Sequence, residues 1–198
     1  MEKSFNKAEI IGQINSAFSF IQKLFNESSY LIKEIEGQLG ESEYRFQILR
    51  PSGYGISSRS SIGLESNNVN LWLLRKYSVA FAEEIKMNKN ITEINESLKI
   101  LYFRIILNDN DIKEPEILFG VFYDIVKNKD SVKKFEHLMG GFEYVDYKLF
   151  SKFPNVEYED NTFKIRGKFK KVNLLDINSS DDLMKRIIKP SIKLYESI

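Results

Sequence analysis

There is no cysteine among the 198 residues, so disulfide cross-links, thiolate metal sites and cysteine nucleophiles are all excluded. Histidine occurs once, as His137. With no second imidazole to share a metal ion and no evident nucleophile to activate, it is expected to be a structural or surface residue. No serine stands in a Gly-x-Ser-x-Gly setting, which removes the nucleophile elbow of a serine hydrolase. Long apolar runs are missing as well. The longest, Ile117 to Tyr123, falls far short of the roughly 20 residues of a membrane span. The segment Met1 to Lys7 is charged and polar where a signal peptide needs an apolar stretch, so a cytoplasmic location with no membrane partner is expected. Charge of one sign is not in excess either: 29 basic and 28 acidic side chains leave a formal net charge of +1. A dedicated duplex-binding domain is usually more basic.

Material for a core is plentiful. Hydrophobic residues make up 42% and aromatics 13% of the chain, too much for global disorder. Lysine, asparagine and isoleucine abound while alanine is scarce, which points to an AT-rich coding genome, microbial or viral. The near-neutral total hides an alternation along the chain. Residues 1–43 carry −3, 44–107 carry +4, 108–146 carry −4 and 147–198 carry +4.

Ser4 is a plausible cap for a helix from Phe5 to Leu39. Its apolar residues fall on a heptad, with Ile11, Phe18, Phe25, Ile32 and Leu39 in one row and Ile14, Ile21 and Ile35 in the second. Ser28 interrupts the second row, and Ile10, Ala17, Leu24 and Leu31 widen the stripe on one side. A stripe this wide suits a core-facing helix better than a narrow two-stranded seam. Phe18, Ile21 and Phe25 are therefore expected to be buried. At 1.5 Å per residue the helix would be about 50 Å long, against roughly 40 Å for a compact body of this size. It must overhang, pair with another copy, or break, and Asn26 to Ser29 is the natural breaking point. Gly37 and Gly40 mark its end.

Beyond the helix the apolar period changes from 3.6 to 2. Strands are expected at Tyr44–Ile48, at Leu98–Leu107 (apolar on both faces, hence central) and at Glu116–Val126. A hairpin of Val156–Glu159 and Phe163–Leu174 is expected about Asp160-Asn161. Leu71–Glu83 fits strand and helix patterns alike, and its neighbours favour strand. A last helix begins at Ser179 or Ser180, with a kink near Pro190. The expected fold class is α+β in one domain. A long N-terminal amphipathic helix (1–40) packs on a largely antiparallel sheet of five to seven strands (44–174), closed by a C-terminal helix (179–198).

Three constellations could carry chemistry. Lys164, Arg166, Lys168 and Lys170 alternate along one strand, so all four project from one face about 6.6–6.8 Å apart. That spacing suits the phosphates of single-stranded nucleic acid, and it equally suits the solvent face of an outer strand guarded by lysines. In the loop from Arg50 to Arg59, Gly53 and Gly55 expose backbone N–H groups. There Arg50, Ser52 and Arg59 could hold a phosphorylated ligand, although no Gly-Lys-Ser/Thr motif follows. Finally, Asp124 ends a strand, and Asp146-Tyr147-Lys148 resembles the acidic-x-Lys element with which restriction-endonuclease-like nucleases hold a divalent metal. The same spacing recurs at Glu84-Ile85-Lys86 and Asp111-Ile112-Lys113, as chance predicts in so charged a chain. Surfaces are more conspicuous than catalytic groups. The expectation is a non-catalytic binding or interaction protein without a cofactor, such as an accessory or regulatory subunit, self-associating through the N-terminal helix. The alternative is a metal-dependent enzyme acting on nucleic acid or a phosphorylated substrate.

Overall fold

A computed structural model describes residues 7–49, 56–58, 75–83, 98–108, 112–127, 155–159, 161 and 163–198. Lys7–Gly40 forms one helix, α1, of 34 residues. The expected break at Asn26–Ser29 does not occur. Ser28 is buried in the apolar row, and its hydroxyl donates to the Leu24 carbonyl at 2.9 Å. The hydroxyl is thus satisfied inside the helix instead of competing with it. Unbroken, α1 is about 51 Å long.

Among the described residues seven strands follow: β1 (Phe46–Ile48), β2 (Ile56–Ser58), β3 (Lys76–Glu83), β4 (Ile100–Ile106), β5 (Glu116–Lys127), β6 (Asn155–Glu159) and β7 (Phe163–Asn173). They form one sheet, antiparallel at every pairing, in the order β1-β3-β4-β5-β7-β6. β2 pairs with the first half of β3, on the edge that β1 occupies further along. The α+β expectation holds, with the ambiguous segment resolved as strand from Lys76. Two details differ from the sequence reading. Ile56–Ser58, expected to be loop, is strand β2. The basic strand β7 is not an outer strand, because β6 lies between it and the edge.

The period-2 alternation sorts the sheet into two faces. Val79, Phe81, Leu101, Phe103, Ile105, Ile117, Phe119 and Val121 meet Ile32, Ile35 and Leu39 of α1 and the C-terminal helices. On the opposite face lie Ala80, Ala82, Ile100, Tyr102, Leu118, Phe122, Ile165 and Phe169. β4 is buried along its whole length on both faces, as its continuous apolar character requires.

After a 3-10 turn at Leu174–Asp176, Ser179 caps α2 (Ser180–Leu183) by accepting the Asp182 N–H. A π-helical turn, Met184–Ile188, leads into α3 (Lys189–Glu196). In place of a simple kink at Pro190, the helix widens just before it, with the Lys189 N–H donating to the Met184 carbonyl five residues back. Proline has no N–H to continue the ordinary ladder.

α1 covers the sheet with only its second half. Ala8 to Phe20 is exposed throughout. The expectation that Phe18, Ile21 and Phe25 are buried is corrected: Phe18 is 70% exposed, and Ile21 and Phe25 are half-buried. The sheet is narrower than the helix is long, so the rows run out of partners before the helix ends.

Candidate functional site

The four basic residues of β7 do share a face. They pair across the ladder with Val126, Tyr123, Val121 and Phe119 of β5, which puts them at the margin of the helix-covered side. On their other flank, β6 sets Glu159 opposite Lys164 and Glu157 opposite Arg166. Lys164 meets Glu159 at 3.3 Å. Arg166 lies between two carboxylates, with Nε 3.1 Å from Glu157 and Nη1 3.3 Å from Asp124. Such half-exposed pairs contribute about 0–1 kcal/mol of stability each, but they neutralise half of the stripe. Among the described residues, Lys168, half-buried opposite Asn155, and Lys170 make no ion pair.

Asp124 sits at the bulge where the β5–β7 register shifts, in the left-handed region at φ 49°. The bulge turns its carboxylate to Arg166, so the structure joins Asp124 to the basic stripe. Asp146 and Lys148 of the acidic-x-Lys element lie outside the described residues, as do Arg50, Ser52, Arg59 and His137. Among the described residues, no three acidic or histidine side chains are grouped to hold a metal ion. Nor is any helix among them long and apolar enough to cross a membrane.

Among the described residues, most of the exposed large hydrophobic side chains lie on α1. Ile10, Ile11, Ile14, Phe18 and Phe20 are all exposed. They belong to a stretch, Ile10–Gln22, that contains no charged side chain at all. The rest of the segment is neutral: Asn15 and Gln22 flank the stripe, and Gln13, Ser16 and Ser19 lie further round with Phe20, which shares Gln13's row. A solvent-facing helix is ordinarily laced with charge, and this one lacks it only where it leaves the sheet. The sequence pattern shows Ile10, Ile11, Ile14 and Phe18, though not Phe20, as a core-facing stripe, since a heptad row looks the same whether or not a sheet lies beneath it.

Toward the body the stripe leads into an open cavity of about 440 Å³ between α1 and the C-terminal region, lined by Leu24, Ser28, Leu31, Glu34, Leu174 and Leu183. At its rim Ser180 and Gln38 donate to the Glu34 carboxylate at 2.5 and 2.8 Å. The Ser180 hydroxyl first, and then the Gln38 amide, hold the Glu34 pKa below the usual carboxylate value. This cavity joins residues about 150 positions apart, and nothing local in the sequence announces it. No protein-family model matches the chain, and neither a curated protein nor a solved structure matches it.

Proposed function

We propose that this chain is a non-catalytic interaction protein, an accessory subunit that docks through the N-terminal half of α1 onto an apolar protein helix. One observation carries the reading. The heptad that buries Ile32, Ile35 and Leu39 against the sheet continues, uncharged, through the half-buried Ile21 to Phe18, Ile14 and Ile11, which are exposed. Contiguous exposed apolar patches larger than a few hundred Å² on a small protein mark contact surfaces. The neutral flanks select a partner that binds by burial rather than by ion pairing, so the contact should hold at high salt.

The test is a photoreactive phenylalanine analogue at position 18, with the exposed position 33, off the apolar rows, as control. It is irradiated in the purified chain and in lysate of cells producing it. Position 18 should yield protein adducts heavier than the 23.2 kDa chain, and position 33 should not. Phe18→Asp should abolish the adducts formed from a probe at Ile14 yet shift stability by no more than about 0.5 kcal/mol. Ile35→Ala, in the buried part of the same helix, should cost about 2–5 kcal/mol. A chain that stays at its own mass from position 18 in both settings refutes the reading.

A further inference from the structure

The uncovered segment of α1 is complementary to itself. We propose that its occupant is a second copy of this chain, laid antiparallel, with the two-fold axis passing beside Ser16. This deepens the docking reading above and rests on it.

The register follows from the rows. In an antiparallel helix pair, a residue of the first row packs against one of the second row on the partner. Aligning Ile11 with Ile21 of the second copy simultaneously aligns Phe18 with Ile14. By symmetry this makes four apolar layers from Ile11, Ile14, Phe18 and Ile21 alone. The widened side then places Ala17 against Ala17 at the axis, small enough for close approach, and Ile10 against Leu24. On the other side Asn15 meets Asn15, where two amides can exchange hydrogen bonds. Glu9 and Lys23, the charges that bracket the segment, lie on the outward face. No like charges are therefore forced together by self-pairing, the usual cost of a homomeric helix contact.

Length singles out this register. Ala8 falls opposite Leu24, where α1 begins to bury itself on its own sheet. Each overhang therefore covers the other completely and stops at the partner's body. Sliding by one heptad in one direction sets Ile11 against Ser28, which is already buried under its own sheet. Sliding the other way moves Ile21 off Ile11 and Phe18 off Ile14. Antiparallel pairing also sends the two sheets to opposite ends instead of crowding them side by side. The exposed areas of Ile10, Ile11, Ile14 and Phe18 amount to roughly 400 Å² per copy. With the flanking residues the pair reaches the ~1,000 Å² that a specific interface requires.

The absence of cysteine allows single labels anywhere on the full chain. Glu9, Ser16, Lys23 and Tyr30 share the outward face of α1, seven residues apart. With a spin label at each in turn, the inter-copy separation along the axis is about 0 Å at position 16, about 21 Å at 9 and 23, and about 42 Å at 30. The measured distance should be shortest at 16, equal at 9 and 23, and longest at 30. Light scattering at about 100 μM, where any association of micromolar Kd is saturated, should return twice the 23.2 kDa mass, and Phe18→Asp should halve it. Equal distances at all four positions mean parallel pairing and overturn the proposal. So does a monomer mass in the wild type. A monomer that floats with neutral phosphatidylcholine vesicles would assign the stripe to a lipid surface. A monomer that still forms position-18 adducts in lysate would leave the docking reading standing with a different partner. A monomer with no adduct removes both.

Discussion

A methyl group added to Gly120 would stand 2.2 Å from the Lys168 carbonyl and 2.5 Å from the Phe169 ring. There the chain is glycine because β7 and its aromatic side chain lie directly over the backbone. The rings of Tyr102, Phe122 and Phe169 pack with centroids 4.8–6.3 Å apart, and the glycine provides room for that cluster. Gly37, near the end of α1, has nothing within 4 Å of such a methyl. The same substitution should therefore have opposite signs. Gly120→Ala should lower the urea midpoint by the equivalent of about 1–3 kcal/mol, whereas Gly37→Ala should raise it by about 0.5–1 kcal/mol through helix propensity. Equal shifts at the two sites would mean that the packing of β5 against β7 is looser than described. Both glycines were visible in the sequence, but only the pairing of β5 with β7 distinguishes them.

At the scale of elements, the C-terminal helix is tied to the sheet by Tyr195. Its ring meets Phe46 edge-on at 5.0 Å, and its hydroxyl donates to Glu83 of β3 at 2.5 Å. Burial first, and then the Glu83 carboxylate, push the phenol's pKa far above its ordinary value of about 10. The unfolded chain releases this proton near pH 10, while the folded chain retains it. The contribution is thus complete below pH 10 and is lost as the pH rises toward the raised folded value. Thermal midpoints measured from pH 8 to 11 should fall at the alkaline end, and more gently in Tyr195→Phe. Tyr44 and Tyr77, also raised by burial, leave part of the slope in that variant. A variant as steep as the wild type would show that Tyr195 is not the group responsible. The helix itself was legible from Ser179 and its apolar spacing. The carboxylate 112 residues away was not.

For the whole molecule, the charge balance and the sheet register together set what the basic stripe can do. Four free cations tracking phosphates would give single-stranded nucleic acid binding a log–log salt slope near −3, at about −0.7 per contact. With Lys164 and Arg166 held by Glu159, Glu157 and Asp124, two remain. Titrating a labelled oligonucleotide by fluorescence anisotropy across a salt series should give a slope no steeper than about −1.4. The double variant Glu157→Gln, Glu159→Gln should steepen it. A wild-type slope of −3 would mean that the acidic partners yield to phosphate. The division between sequence and tertiary structure runs along the same line. The continuous apolar run of Leu98–Leu107, the hairpin signal at Asp160 and the heptad of α1 by themselves determined the elements and the α+β class. Period depends on neighbours a few residues apart, and the chain carries that information locally. The tertiary structure alone decided which end of the heptad is covered, that β7 lies inside the sheet, and that its cations face β6 carboxylates. Each of these depends on how wide the assembled sheet is and which strands adjoin, and contacts between residues distant in the chain set both.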